Sequence, residues 1–325
     1  MTSSLPRRKG MTMRRIVRRT TGLLVALALA LNGSWGAVPA QAAGSAVDDY
    51  TSQAAKAGTW IVKNESTLRT GALGPRLDGL LALKASGKTD PVTTATMNKL
   101  KADIRKDGPE YCKPTGNPVN VGGCAKIVIT LKAIGEPTTY NKFDYATPVT
   151  SATTFNQYAT NNALAMIALQ RMGKPIPKAL YSSVIKYATT DGWPDHDTDG
   201  LMLTALSHVT PPDKKTQDDA IQKLKDRIAK GHKPGAGWDP GPVKNGDNVN
   251  TTAWVAAGLY RTGTTTEKTT AVKAQAWLVK QQQVDGSFKG VASTMMATTQ
   301  VVPALRALQS YDNVGANPAK TVTVK

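Results

Sequence analysis

The stretch Asp191-Gly192-Trp193-Pro194-Asp195-His196-Asp197-Thr198-Asp199-Gly200 holds the densest set of groups able to do chemistry. Four carboxylates fall within nine residues, just ahead of an apolar run. Alternating acids at Asp195, Asp197 and Asp199, followed by Gly200, match the first half of a twelve-residue calcium loop, so calcium is a candidate metal. The twelfth position is Leu206, where such a loop needs a bidentate glutamate, so only a weak site is expected. A carboxyl kept protonated by its neighbours can also act as an acid catalyst, and Asp195 and Asp197 are the candidate pair. The bland alternative is capping, since a helix start favours negative charge and side-chain acceptors.

Further polar groups accompany the other apolar segments. Asn161-Asn162, Asp197-Thr198, Asn250-Thr251 and Gln300 are expected to ring one mouth of a helical barrel. Trp193 and Trp238, each on a Gly-Trp turn, could supply flat walls. A few placed polar groups with aromatic walls suit a bulky, partly polar ligand. Each member also has a structural reading as a cap or turn residue. No glycine-rich phosphate loop and no G-x-S-x-G elbow occurs, and no cysteine follows Cys124 to hold a zinc ion. No cofactor is required by anything in the sequence.

The elements that must position these groups are helices. Six segments share a polar or glycine-rich start, an apolar body and a late leucine: Leu83, Leu131, Leu169, Leu206, Leu259 and Leu305. Their spacings of 48, 38, 37, 53 and 46 residues leave room for a helical hairpin each time. Gly87, Gly135, Gly173 and Gly263 follow four of them, as helix C-caps. The segment Ala253-Trp254-Val255-Ala256-Ala257 is apolar nearly all round, which predicts burial on every side. Amphipathic partners are expected at 48–64, 92–106, 178–188, 216–229 and 267–282, with the one near 137–150 undefined. Of strand signals, the alternation Thr321-Val322-Thr323-Val324 stands almost alone. Six hairpins with apolar inner helices favour a closed ring over an open solenoid, whose inner face would be wet.

The first 42 residues read as a secretory signal. Seven basic residues precede the apolar run Leu23 to Leu31, and Ala40-Gln41-Ala42 ends it, predicting cleavage after Ala42 by either the general or the twin-arginine route. The run is too short for a membrane span. Removing it lowers the net charge from +18 to +11, set by 34 basic and 23 acidic residues. That charge spreads over outer-type helices as an ordinary solvated surface without any nucleic-acid-binding motif, so nucleic acid is not expected as a partner, and a basic surface would also suit an anionic cell envelope. Cys112 and Cys124, an even and close pair in an exported chain, are expected to form a disulfide.

The pattern Lys273-Ala274-x-x-Trp277-Leu278-x-x-x-Gln282-x-x-x-Gly286-x-Phe288 resembles the repeat of the prenyltransferase and squalene-cyclase superfamily, with Phe in place of the final Trp. Lys56-Ala57-Gly58-Thr59-Trp60-Ile61 matches its first half, and Gly-Trp recurs at 192–193 and 237–238. Within that superfamily, Asp197-Thr198-Asp199-Gly200-Leu201-Met202 and Gln300-Val301-Val302-Pro303-Ala304-Leu305 are similar to segments of the transcobalamin and intrinsic-factor branch of cobalamin carriers. The resemblance spans about residues 48–310. It implies an all-α fold, an α6/α6 toroid with its ligand cavity at one mouth, and cobalamin as a candidate ligand. Those carriers add a β-domain that closes over the corrin, and with this chain stopping at Lys325 only the toroid half of the binding surface is expected. Asp195-His196-Asp197-Thr198 resembles the Asp-x-Asp-Asp acid of class II terpene cyclases, with Thr in the last place.

The expectation is a secreted, monomeric α/α toroid over 43–312 with a short tail over 313–325, stapled by one disulfide. Its expected role is to bind a small molecule, a corrinoid or another bulky metabolite. The alternatives are a terpene-cyclase-like or glycan-acting enzyme working through Asp195 and Asp197, and a cell-surface interaction protein.

Overall fold

A computed structural model describes residues 46–155, 158–190, 195–232, 237–241 and 246–325. The expected signal segment and Trp193 lie outside the described residues. The order of elements is α1 (Thr51–Lys63), α2 (Glu65–Thr70), α3 (Leu73–Ser86), α4 (Pro91–Cys112), α5 (Val121–Ile134), β1 (Thr139–Tyr140), β2 (Phe143–Asp144), α6 (Ala146–Thr150) and α7 (Ala159–Met172). Then come α8 (Lys178–Thr189), α9 (His196–Leu206), β3 (Val209–Thr210), α10 (Lys214–Lys230), α11 (Val249–Thr262), α12 (Thr265–Gln281), α13 (Thr294–Leu305) and β4 (Val322–Thr323). The fold is all-α, of the α/α-toroid class.

The six apolar segments are α3, α5, α7, α9, α11 and α13, and each packs on the next, with α13 returning to α3. Nearly every residue of α11 from Val249 to Leu259 is buried, as its uniform apolarity requires. The amphipathic partners α1, α4, α8, α10 and α12 lie outside them, each burying one stripe. The undefined stretch near 137–150 is a two-residue antiparallel hairpin, β1 with β2, followed by the five-residue α6. The partner of α5 is thus shortened rather than regular, because Pro137, Pro148 and the turn at Asn141-Lys142 leave no room for a long helix.

Glycine caps end three inner helices: Gly87, Gly135 and Gly173 are left-handed. Gly263 also caps its helix, α11, but in an extended conformation, with Thr264 immediately starting α12 through a capping box with Glu267. Inner helices approach closely where glycines face each other. A Cβ on Gly200 would lie 2.6 Å from the Trp254 carbonyl carbon, and one on Gly258 would lie 2.4 Å from the Gly200 oxygen. Gly200 therefore serves helix packing within α9, not the sharp turn that a calcium loop places at its sixth position.

Cys112 and Cys124 are bonded, tying the end of α4 to the start of α5. The repeat motif also has a structural role: Gln282 donates to the Gly286 carbonyl at 3.0 Å and to the Gln53 carbonyl at 2.9 Å, linking the end of α12 to α1.

After α13 the chain runs across the C-terminal ends of the inner helices. Arg306 donates to the Ala85 carbonyl of α3 at 2.8 Å, and the Ala316 amide to the Ala133 carbonyl of α5 at 2.8 Å. Arg171 of α7, buried, donates to the carbonyls of Tyr311, Val314 and Ala316 at 2.7, 2.8 and 2.5 Å. Asp312 meets Arg261 of α11 at 2.6 Å and His208, just past α9, at 2.9 Å. Finally β4 pairs in parallel with β3. The last twenty residues thus form a cover over one end of the inner ring.

Candidate ligand-binding site

The opposite end of the ring carries the starts of the inner helices. Asn120, Asp195, Asn248 and Ser293 cap α5, α9, α11 and α13 with their own side chains. Asp195 accepts from the Thr198 amide at 3.3 Å and the Thr198 hydroxyl at 2.5 Å, and that hydroxyl meets Thr160 of α7 at 2.6 Å. Asp195 and Thr198 are therefore engaged in the α9 cap, the structural role foreseen as the alternative.

Two residues further along a helix a side chain has turned by about 200°. Asp197 and Asp199 consequently face opposite ways. Asp199 is fully buried on the outer side, in a two-pronged pair with Arg227 of α10 at 2.6 and 3.3 Å. Asp197 turns to α11, where Asn250 donates to its Oδ2 at 3.4 Å and its buried Oδ1 has no partner among the described residues. The expected calcium set of Asp195, Asp197 and Asp199 is not brought together, and among the described residues no three acidic, His or Cys side chains form a metal-holding group.

Beside Asp197, the Thr251 hydroxyl is also buried and without a well-formed hydrogen bond. Burial pushes the Asp197 carboxyl up to about 6, against the pull of the nearby Thr251 hydroxyl toward the ionised form. In contrast to Asp78, Asp103, Asp199 and Asp312, Asp197 has no cationic side chain paired with it among the described residues. Two neighbouring buried polar atoms with unused bonding capacity are costly to a fold and are a common mark of a preformed site.

Asn161 and Asn162 start α7 one helix away. Asn161 lies over Gly122, where a Cβ would come within 2.3 Å of its side-chain carbon, so Gly122 makes room for it. Trp238 does not provide a wall. It is 1% exposed, stacks on His232 with ring centroids 4.5 Å apart, and its backbone N–H donates to Thr252 at 2.9 Å. Its task is to pin the start of α11, because an indole on a repeat turn is worth more buried than wet.

Gln300 lies deeper, halfway along α13, and belongs to a group that the sequence reading missed. Asp78 of α3 receives Gln300 Nε2 at 3.2 Å, Lys126 Nζ of α5 at 2.8 Å and the Tyr311 hydroxyl. Gln300 in turn accepts from the Trp254 indole at 3.4 Å, and Trp254 meets the Tyr311 ring edge-on at 4.5 Å between centroids. Lys126 of α5 sits 5.6 Å from the same ring. Helices α5 and α11 lie three places apart in the ring, yet both reach Tyr311, so Tyr311 stands at the axis. The cover over the C-terminal ends thereby supplies the floor beneath the mouth. Burial and the Asp78 charge raise the Tyr311 hydroxyl well above its ordinary range, which keeps it a donor. The signal for this group was a charge set among the apolar residues of an inner helix, Asp78 in α3 and Lys126 in α5, since a charge there must find a partner within the ring.

These features define an α/α toroid closed at one end by its own C-terminal segment and polar at the other. No protein-family model and no curated protein sequence matches the chain. Among solved structures it is similar to the crystal structure of haptocorrin in complex with Cbi, at 12% identity and a TM-score of 0.51, covering 84% of this chain and 69% of that one. At that identity the likeness shows the fold. Among the described residues no helix is long and apolar enough to cross a membrane.

Proposed function

We propose that this chain is an exported binding protein that takes a bulky, partly polar small molecule, a corrinoid first among them, at the mouth formed by the inner-helix starts. The observation that carries the reading is the buried Asp197 carboxylate, which has no cationic partner among the described residues and whose Oδ1 has only the nearby Thr251 hydroxyl to turn to. A ligand offering an N–H or O–H donor fills the remaining acceptor capacity. Asn250 of α11 donates to Asp197, and in this reading Asn161 and Asn162 of α7 and Gln300 of α13 contribute further polar contacts. The likeness to a haptocorrin solved with Cbi supports the corrinoid class. The mature protein in this reading begins after Ala42 as a monomer, with the toroid over 43–312 and a short tail over 313–325. The basic surface suits contact with an anionic envelope.

Native mass spectrometry of the mature protein from its own culture medium tests the reading. A co-purified small molecule, or a one-to-one adduct after adding cobalamin or Cbi, is the expected result. A chain that stays bare at its calculated mass with both corrinoids in excess removes the corrinoid assignment.

One observation favours an enzymatic reading as the second choice. A buried carboxyl poised near 6 can give and take protons at neutral pH, as a terpene-cyclase-like or glycan-acting acid must. Asp195, held in the α9 cap, is then the neighbouring charge. Asp197→Asn separates the two, since an enzyme loses orders of magnitude in rate whereas a binder loses about 1–3 kcal/mol of affinity.

A further inference from the structure

Trp238 takes no part in the mouth, yet its side chain is left with unused chemistry. It is buried, and its indole N–H has no acceptor among the described residues. A buried indole N–H ordinarily finds one, and leaving it bare is costly. The same side chain lines a cavity of about 150 Å³ in the outer wall of the ring, between α10 and α12. Ile228 of α10 and Leu259 of α11 give this cavity apolar sides. His232, stacked on Trp238, and Lys225, paired with Glu267 of α12, are about two helical turns apart on α10 and mark its two ends. An apolar cavity of about 150 Å³ is enough to hold a benzene ring.

The charges of the lining decide what fits. Lys225 Nζ and Glu267 Oε2, 3.1 Å apart, neutralise each other. Burial pushes the Glu267 carboxyl up, but the Thr264 amide and Lys225 outweigh it and hold it below its ordinary range, so it stays ionised. Burial pushes the His232 ring below 6.5, against the pull of the Asp247 charge, so it is uncharged at neutral pH. A charged guest would therefore bring an unmatched charge into a poorly solvated place. What the lining lacks is an acceptor. The Trp238 N–H has none, and the Lys225 ammonium, with Glu267 as its one hydrogen-bond partner among the described residues, keeps two further donors. We propose that this cavity is a binding site, separate from the mouth, for a small uncharged ring compound whose carbonyl-type oxygen accepts from the Trp238 indole N–H. The site does not depend on what the mouth binds.

Acetophenone and 2-phenylpropene are the probes, because they match in shape and carry oxygen or methylene on the same carbon. Ligand-observed NMR titrations on the mature chain are expected to show saturable acetophenone binding, with 2-phenylpropene weaker by about tenfold. Trp238→Phe removes the donor and is expected to bring the two affinities together. Ala229 is an exposed residue of α10 that borders the cavity. Ala229→Leu is expected to fill the space and abolish acetophenone binding while keeping the wild-type melting temperature. If Trp238→Phe does not fold, the wild-type preference and Ala229→Leu together decide. No saturable binding, the result if water alone fills the space, overturns the site. So does 2-phenylpropene bound as tightly as acetophenone by the wild type, a preference that survives in folded Trp238→Phe, or undiminished acetophenone binding by Ala229→Leu.

Discussion

The Tyr311 hydroxyl donates to Asp78 Oδ1, joining residues 233 positions apart through the centre of the helical ring. One end of this bond is in the first inner helix and the other in the segment that follows the last. Tyr311→Phe removes one of three donors to a buried carboxylate, and a loss of about 1–3 kcal/mol is expected. Urea denaturation measures it. A change within about 0.5 kcal/mol, the range of ordinary surface substitutions, would mean that the floor is wet and loosely held.

Acid should loosen the cover before the ring. Burial pushes the Asp312 carboxyl up, but Arg261 and His208 outweigh it and hold it at about 2, below the ordinary 3.8. Its folded value is depressed, so its contribution is complete above 3.8 and disappears as pH falls toward about 2. Thermal midpoints are expected to fall across that window in the wild type and to change less in Asp312→Asn. At neutral pH the variant should be weaker by about 3–5 kcal/mol, because Arg261 is left buried without its partner. Parallel pH curves for the two proteins would contradict this.

Asp197 has the opposite sign. Burial raises it to about 6, so its favourable contribution is present below the unfolded value of 3.8 and is lost as pH rises through about 6. Asp197→Asn, neutral throughout, is therefore expected to stabilise the ligand-free protein above pH 6, by up to about 3 kcal/mol. The same change should weaken ligand binding. Chemical denaturation at pH 4 and pH 8 provides the comparison, and a variant destabilised at pH 8 would show that Asp197 has a structural partner.

Gly258 and Gly71 make a matched pair. A Cβ at Gly258 would press on the Gly200 carbonyl at 2.4 Å, whereas the nearest atom to one at Gly71 is 3.7 Å away. Gly258→Ala must push α9 and α11 apart, at a cost of roughly 1–3 kcal/mol. Gly71→Ala should be near neutral. Equal melting temperatures for the two variants would refute the close approach.

Much of this architecture is legible in the sequence because it is local. Apolar residues all round a segment mark an inner helix, and a single stripe marks an outer one, as α11 and α10 show. Glycines after the late leucines marked four helix ends, three of them left-handed and Gly263 extended because Thr264 begins the next helix at once. The acidic loop was the hardest stretch to read. Its alternating spacing suggests one shared site in an extended loop, but the helix begins at His196 and sends Asp197 and Asp199 to opposite sides. Trp238 misled for a related reason, since a tryptophan on a turn looks available until the turn is seen folded under α11.

The sequence by itself determined the helices, their inner or outer station and the disulfide, since these follow from short-range periodicity and from the pairing of two nearby cysteines. The tertiary structure alone decided which charges meet. Asp78, Lys126, Gln300 and Tyr311 come from four distant segments, and only when α13 packs against α3 and the tail crosses the ring does one become the partner of another. A buried charge announces that it needs a partner, but the partner is chosen by how the helices pack, which no local spacing encodes.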